Sequence, residues 1–359
     1  MTISLSLAMI VKNEQTLLPR ILRDAAAVCD EMVVVDTGST DDTKAVALES
    51  GARVEELAWR DDFAIARNAS FAWCTSDWII WLDADDVLPE STQCAITDLK
   101  SSLSAELDVV VSPYNYRIGE DGAVDLKLTR ERLVRRGAGL KWQGRIHEHI
   151  PIPEARSTFA SELVVEHRPT PEGRAVSMAR NLWVLEQELA AAHPQPRTIL
   201  RYAMELHDHG RFEEAVAHFR EYLTIDRRPN PDRYWALVLL AESARHLGRR
   251  QAVIDAAVKG IAENPSRAEA YVSLGRLFFD NERWARALPL FVAATACRAP
   301  SVGLRRVADY RYGPWDYISV CLDRLGRRQE ALAAAERALP GNPEADRIRT
   351  NMQWMAENL

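Results

Sequence analysis

Residues 77–86 read DWIIWLDADD, an apolar run that ends in three closely spaced aspartates, Asp83, Asp85 and Asp86. The nearly continuous apolar part predicts a strand buried beneath helices on both faces. Carboxylates this close repel one another, and a divalent cation held by oxygen ligands relieves that repulsion. Magnesium or manganese, with phosphate oxygens completing the shell, suits such ligands. The alternative is that Asp85 or Asp86 caps the next helix.

Short apolar strands alternate with helices on the N-terminal side of this run. We predict strands over 3–11, 31–35 and 52–57, and helices over 14–28, 41–50 and 62–73. This alternation predicts an α/β domain with a largely parallel sheet, whose carboxyl strand ends are where ligands bind. Beyond the acidic run we predict strands over 109–116 and 160–166, joined by a polar, Arg-rich connection.

A second acidic position follows the strand over 31–35. Asp36 ends that strand and Gly38 permits a tight turn after it. Helix capping accounts for Ser39, Thr40 and Asp42 without any ligand. Asp36 lies one strand–helix unit before the acidic run, so we expect both to face one crevice.

A helical repeat begins near residue 174, where the pattern G-x-F-x-x-A-x-x-x-F recurs. Its glycine slot is occupied by Gly210, Gly248, Glu282 and Gly326, and the first two spacings are 38 and 34 residues. The pattern resembles tetratricopeptide repeats, in which stacked helix pairs form one continuous groove.

Some positions of this repeat are predicted to pack helix pairs together, namely Ala215, Phe219, Ala287 and Phe291. An insertion over 301–313 displaces the fourth copy. It carries Arg305, Arg306, Arg311, Tyr310 and Tyr312, which could hold acidic and aromatic groups of a partner, against the simpler interpretation of a solvated loop.

Composition limits the class of protein. The chain has 359 residues, enough for two or three domains, and its net charge of -7 lacks the basic excess common in nucleic-acid binders. The five cysteines are scattered, which favours neither disulfides nor a thiolate zinc site and predicts a reduced cytoplasm. We expect no export signal and no membrane span. A dinucleotide site is disfavoured because the segment from Gly137 lacks the third glycine of G-x-G-x-x-G.

Two further motifs complete an ordered set: MIVKNE over 9–14 and DDFAIARN over 61–68. With the two acidic segments, they resemble the family 2 glycosyltransferases of the GT-A fold, closely over about 3–90 and more weakly to about 168. With the repeats, the chain resembles the branch that joins this domain to C-terminal tetratricopeptide repeats and includes peptide S-glycosyltransferases of bacteriocin biosynthesis. The implied organisation is a GT-A domain over 1–170, a helical linker over 171–196 and a repeat domain over 197–359.

The resemblance implies roles for single residues in the donor site. Asp83 and Asp85 would be the D-x-D pair that holds the ribose and the metal on a sugar nucleotide's diphosphate, and Asp36 would contact uracil or ribose. The nucleotide pocket would be lined by Val11, Asn13 and Glu14, and the diphosphate or sugar would lie beside Arg67 and Asn68.

The segment WQGRIHEH, residues 142–149, resembles the acceptor-side motif of this branch. Inversion at the anomeric carbon needs a base there, for which Glu148 is our choice and His147 the reserve. A late-strand histidine completes the metal shell in related enzymes, and His167 is the better match, with His149 as the alternative.

The implied function is metal-dependent, inverting transfer of a hexose from a nucleotide sugar, UDP-linked in our prediction, to a peptide or protein recruited by the repeats. We expect no nucleic-acid partner, and a homodimer is left open. The alternatives are a cell-surface saccharide or lipid-linked glycan as acceptor, or a non-catalytic binding protein built on the repeats. The chain lacks the Q-x-x-R-W motif, which argues against a polysaccharide synthase.

Overall fold

The structure, a computed structural model, describes residues 3–104, 106–152, 156–190, 194–227 and 230–358. The chain divides into two compact units. The N-terminal unit consists of residues 1–117 and 127–177, and the C-terminal unit of residues 118–126 and 178–359.

The N-terminal unit is an α/β domain, as predicted. Its strands are β1 (Leu5–Val11), β2 (Glu31–Asp36), β3 (Arg53–Glu56), β4 (Trp78–Trp81), β5 (Asp86–Val87), β6 (Val109–Ile118), β7 (Val124–Arg135), β8 (Ser157–Phe159) and β9 (Val165–His167), the tips of β6 and β7 belonging to the other unit. Its helices are α1 (Leu18–Ala26), α2 (Thr43–Glu49), α3 (Phe63–Trp73) and α4 (Glu90–Ser102), with a short 3₁₀ turn at Arg136–Ala138.

The strands lie in the order β3-β2-β1-β4-β7-β6-β9-β5, and β8 pairs with β6. The first four of these neighbours are parallel, and β7 runs antiparallel to β4. All four residues of β4 are buried, in agreement with the apolar run that predicted it. The half of the sheet built from β1 to β4 therefore brings its carboxyl strand ends to one edge.

Two sequence predictions fail beyond β4. The predicted strand over 160–166 is wrong for most of its length, because only Val165–His167 is extended and β8 ends at Phe159. The Arg-rich segment that we interpreted as a connection is the long strand β7. Its alternating Val124, Leu126 and Leu128 are a strand signal that the neighbouring charges obscured.

The C-terminal unit is built from helices. After α5 (Pro171–Leu189), which crosses the boundary between the units, come α6 (Pro196–Asp208), α7 (Phe212–Ile225), α8 (Pro231–His246), α9 (Arg250–Glu263), α10 (Ala268–Asp280), α11 (Trp284–Ala296), the short β10 (Arg305–Arg306), α12 (Val307–Tyr310), α13 (Gly313–Arg324), α14 (Arg328–Ala338) and α15 (Ala345–Glu357). The four helix pairs α6/α7, α8/α9, α10/α11 and α13/α14 are the predicted repeats. Among the described residues, no helix is both long and apolar enough to cross a bilayer.

The turn inside each pair explains the glycine slot of the repeat. Gly210, Gly248 and Gly326 have φ values of 71°, 67° and 76°, in the left-handed region. Glu282 has a φ of 56° and therefore adopts the same conformation without glycine's freedom. The predicted packing residues of the repeats are all completely buried, which confirms their role: Ala215, Phe219, Ala287 and Phe291.

The insertion over 301–313 packs onto the first helices of two pairs. Both terminal nitrogens of Arg306 pair with the carboxylate of Glu242 in α8. Tyr310 donates its hydroxyl to Glu269 in α10 at 2.7 Å. These internal contacts contradict the expectation that Arg306 and Tyr310 are available to a partner. They also show that the insertion is a packed element and not a solvated loop.

Candidate active site

The candidate site lies at the carboxyl ends of β1, β2 and β4 in the N-terminal unit. Val11 and Asp36 are paired in register at the ends of β1 and β2. The backbone N–H and the hydroxyl of Thr37 both donate to the carbonyl oxygen of Val11, at 2.9 and 3.0 Å. These bonds continue the pairing into the loop and hold the two strand ends together.

Asp36 is buried and only half satisfied. Its Oδ1 accepts the N–H groups of Gly38 and Ser39, each at 3.0 Å. Its Oδ2 is buried and has no hydrogen-bond partner within the described part of the chain. A buried carboxylate oxygen without a donor is costly, so this atom is suited to accept a hydrogen bond from a ligand.

The loop after β1 is held by the loop after β2. Asn13 has a φ of 58°, and its Oδ1 accepts the Thr40 N–H at 2.8 Å while its own N–H donates to Ser39 Oγ at 2.9 Å. The Glu14 N–H donates to Thr43 Oγ1 at 2.7 Å. Ser39 and Thr40 therefore bind the neighbouring loop, and the prediction that they cap α2 is wrong.

Arg67 connects two carboxylates that the sequence analysis assigned to different sides of the reaction. From α3, its Nε donates to Glu148 Oε1 at 2.6 Å and its Nη2 donates to Asp83 Oδ1 at 2.8 Å. The guanidinium lies over the rings of Trp81 and Trp142, 4.4 and 5.2 Å from their centroids. Arg67 is buried, so its contacts in this structure are to protein groups.

This arrangement sets the ionisation of both acids. Burial alone would raise the pKa of the Glu148 carboxyl, but the charges of Arg67 and Arg130 and the hydrogen bond from Arg67 together outweigh it and hold the pKa below its ordinary value. The pKa of Asp83 is lowered in the same way. Both groups are therefore carboxylates at neutral pH, and the buried guanidinium is neutralised from two sides.

Asn68 and the two histidines beside Glu148 belong to the contacts of the loop over 142–149. Asn68 donates its amide to the Trp142 carbonyl at 3.0 Å and accepts the Trp142 N–H at 2.9 Å, so its side chain fixes that loop. His149 exchanges two backbone hydrogen bonds with Gln143. His147, between them, has a φ of 50° and marks the tightest point of the loop.

Asp85 and His167 are the residues suited to hold a metal. β5 and β9 place Asp86 opposite His167, and Asp85 Oδ2 lies 3.2 Å from His167 Nε2. His167 Nδ1 lies 2.9 Å from the Tyr116 carbonyl oxygen, the arrangement that orients a metal-binding imidazole. Burial disfavours the charged ring, but Asp85 raises the pKa of His167 to about 9, so a cation would have to displace the Nε2 proton in order to bind.

A carboxylate and an oriented imidazole fit a small divalent cation whose remaining ligands are phosphate and water. Within the described ranges, no group of three or more His, Cys, Asp or Glu side chains could hold a metal by itself. The capping alternative is wrong, since α4 has Pro89 at its N-cap and no side-chain cap.

A buried polar cluster that was not predicted from the sequence lies behind the acidic loop, residues 83–86. Arg132 and Asp86 are both fully buried and form an ion pair, with Arg132 Nη1 3.2 Å from Asp86 Oδ2. Tyr114 donates its hydroxyl to Asp86 Oδ1 at 2.6 Å. The arginines of β7 face aromatic rings such as Trp81. Their presence in the sequence was a possible signal of this cluster, but their polar character indicated a connection instead of a buried strand.

Comparisons with known proteins relate the N-terminal unit to a known family. The model of the family described as glycosyl transferase family 2 matches residues 6–151. A TPR repeat-containing protein of Synechococcus elongatus is 31% identical over 295 residues, which cover 77% of this chain and 71% of the relative. The SPbeta prophage-derived glycosyltransferase SunS of Bacillus subtilis is 28% identical over 250 residues, which cover 67% of this chain and 58% of SunS.

Among solved structures, a crystal structure of MamA matches 49% of this chain and 95% of its own, with 18% sequence identity and a TM-score of 0.40, a level from which no functional argument follows. The family match and the relative SunS both indicate a glycosyltransferase. The chain belongs to glycosyltransferase family 2 and joins its transferase domain to C-terminal tetratricopeptide repeats.

Proposed function

We propose that this glycosyltransferase moves a hexose, with inversion and with the help of a divalent metal, from a UDP-sugar to a peptide or protein that the repeats recruit in the cytoplasm. The observation that carries the proposal is that Asp36 and the acidic residues follow β2 and β4, whose carboxyl ends lie on either side of β1 at one edge of the sheet, and that Asp85 contacts His167. Nucleotide-sugar chemistry needs these groups together: acceptors for base and ribose, and a cation site for the diphosphate.

In this proposal the donor is bound by the strand ends. Asp36 uses its unpaired Oδ2 to accept from uracil or ribose. Asp83 binds the ribose, while Asp85 and His167 would hold Mg²⁺ or Mn²⁺. When bound, such a cation neutralises the charge that develops on the departing diphosphate.

The acceptor side is proposed to contain the base. Glu148 is ionised, and its carboxylate can take the proton of an attacking hydroxyl or thiol. Arg67 donates to both Glu148 and Asp83 and so orients them together. In this proposal, the group that takes the acceptor proton and the group that binds the donor ribose are held by the same guanidinium. His147, next in the chain, is the reserve base.

The acceptor class rests on the C-terminal unit. Stacked helix pairs form extended surfaces that suit peptide chains. The insertion covers the α8 and α10 part of that surface through Arg306 and Tyr310. We therefore assign acceptor docking to the helices that the insertion leaves uncovered.

The test has a donor arm and an acceptor arm. The full chain is incubated with UDP-, GDP- and TDP-sugars, with Mn²⁺ or with EDTA, and nucleotide release is measured. We expect release from a UDP-sugar only with metal. A peptide library, an oligosaccharide set and a lipid-linked glycan are then offered with the active donor. Transfer to saccharide or lipid alone would replace the proposed acceptor, and metal-independent release would remove the proposed cation site.

A further inference from the structure

Behind the acidic loop lies a polar cluster that the proposed mechanism does not use. Asp86 and Arg132 are each 0% exposed, and their side chains form an ion pair. Removing two charges from water has a large desolvation cost, and a well-packed apolar pair is often as stable or more stable. Stability alone therefore does not account for this ion pair.

The Asp86 carboxylate accepts hydrogen bonds from three separate parts of the N-terminal unit. Its Oδ2 accepts the backbone N–H of Asp83 at 3.1 Å and Nη1 of Arg132 in β7 at 3.2 Å. Its Oδ1 accepts the hydroxyl of Tyr114 in β6 at 2.6 Å. The first residue of the acidic loop is thus bonded directly to the side chain of the last.

Arg132 extends the same network to β4. Its Nη1 also donates to the Trp81 carbonyl at 2.9 Å, where β4 ends. Its guanidinium carbon lies 4.1 Å from the ring centroid of Trp81 and 4.8 Å from that of Tyr114. Its Nε and Nη2 are buried without a partner among the described residues, a cost that a purely stabilising residue would not carry.

The backbone transmits the position of Asp86 to the groups that would hold the metal. Asp86 is paired with His167 across β5 and β9, and the Arg168 N–H donates to the Asp85 carbonyl at 2.8 Å. A shift of Asp86 would therefore displace Asp83, Asp85 and His167 relative to one another.

We propose that Asp86 and Arg132 are a positioning pair, which fixes Asp83 and holds Asp85 against His167 in the arrangement that binds a divalent cation with the nucleotide diphosphate. This inference rests on the proposed function, because it assumes that a cation and UDP bind there together. Neither residue needs to touch the donor. Their effect is on the geometry of the residues that do.

The test measures Mn²⁺ affinity in the presence of UDP, by electron paramagnetic resonance of free Mn²⁺, together with the thermal midpoint. The variants are Asp86→Asn, the double variant Asp86→Asn with Arg132→Gln, and Tyr114→Phe. The matched control is Asp108→Asn. It breaks an ion pair with Arg135, which lies on β7 like Arg132 but away from the acidic loop.

We expect Asp86→Asn to weaken Mn²⁺ binding by about 10- to 100-fold, the range for outer residues that orient metal ligands. The double variant removes both charges, so it should regain thermal stability but not Mn²⁺ affinity. Tyr114→Phe leaves the bonds to Asp83 and Arg132 in place and should have a small effect. The Asp108 control should bind Mn²⁺ like the wild type.

Wild-type Mn²⁺ affinity in the double variant would overturn the positioning role and leave the pair a purely structural one. If Asp86→Asn fails to fold, the double variant still decides the question. Absence of UDP-dependent Mn²⁺ binding in the wild type is a different outcome, since it would refute the proposed function itself and this inference with it.

Discussion

At the scale of single residues, Arg67 balances the negative charge of the site. Its guanidinium is shared between Glu148 and Asp83 and lies over two indole rings. A buried guanidinium in such a position needs its hydrogen-bond acceptors. Truncation of either acid to alanine should therefore affect the other through Arg67, whereas an amide in its place keeps an oxygen for the hydrogen bond.

The first prediction concerns Glu148. Glu148→Gln keeps an oxygen for Arg67 but cannot take a proton, so transfer should fall by about 10²- to 10⁴-fold, with little change in UDP affinity. A thiol acceptor should show a smaller loss, because part of it is already thiolate near neutral pH. The measurement is kcat/KM for transfer beside UDP affinity, with His147→Gln as the paired variant.

Two outcomes would revise this assignment. A parallel loss of UDP affinity would move Glu148 to the donor pocket. Wild-type transfer by Glu148→Gln together with a loss in His147→Gln would make His147 the base.

Strand ends made part of the site predictable from sequence. Asp36, Asp83 and Asp85 each follow an apolar strand, so local pattern was enough to group them. The partners of Arg67 and Asp86 were not predictable in this way. Glu148 lies 81 residues from Arg67, and Arg132 lies 46 residues from Asp86, so only the folded sheet brings them together.

At the scale of elements, β4 could be predicted from the sequence and β7 could not. β4 is apolar throughout and was predicted, whereas β7 carries arginines that face aromatic rings and was taken for a connection. In the repeats, spacing alone placed Glu282 in the glycine slot, and its φ of 56° confirms the alignment. Periodicity predicts an element well unless charged side chains are buried in it.

A second prediction tests how tightly the third repeat is packed. A Cβ on Gly275 would lie 2.7 Å from the Phe291 ring, which is itself completely buried and stacked on Tyr317. Gly275→Ala should therefore lower the free energy of unfolding by about 1–3 kcal/mol despite the better helix propensity of alanine. Thermal and urea unfolding would measure this loss.

Gly260→Ala is the matched helical control for this prediction. Its added methyl would meet Ala270 Cβ at 3.2 Å, a looser contact, so the loss should be smaller. Equal stability of Gly275→Ala and the wild type would show that the Phe291 ring can move aside.

A third prediction uses the buried acid of the insertion. Burial raises the pKa of Asp309 to about 7, an effect that Arg306 opposes and that Glu269 and Glu242 increase. Because the folded pKa lies above the unfolded value of about 3.9, the folded state retains a proton that the unfolded state has lost. Stability that this group contributes below about pH 4 should be lost progressively as pH rises to about 7.

The measurement compares the thermal midpoints of the wild type and Asp309→Asn from pH 4 to pH 8. Relative to the variant, the wild type should lose stability as pH increases. The loss in free energy of unfolding should be a few kcal/mol at most. Asp346→Asn, at a 98% exposed side chain, is the control and should show no such trend. A constant difference between wild type and Asp309→Asn at all pH values would contradict the prediction.

At the scale of the whole molecule, the chain consists of two compact units to which we assign different roles. The N-terminal unit contains every residue that we assign to donor binding and proton transfer. The C-terminal unit contains the repeats, whose insertion binds its own helices through Arg306 and Tyr310. The proposed transfer therefore depends on whether residues 83–86, in the N-terminal unit, bind a cation together with a diphosphate.

The most direct test is UDP release from a UDP-sugar by the full chain, titrated with Mn²⁺, for the wild type and Asp85→Ala. Asp98→Ala, an exposed aspartate on α4, is the control. We predict that wild-type release requires metal and that Asp85→Ala loses at least about 10²-fold at saturating Mn²⁺, the size of losing one electrostatic stabiliser of a transition state, with an unchanged thermal midpoint. Wild-type turnover by Asp85→Ala at saturating Mn²⁺, or wild-type release that persists in EDTA, would contradict the account.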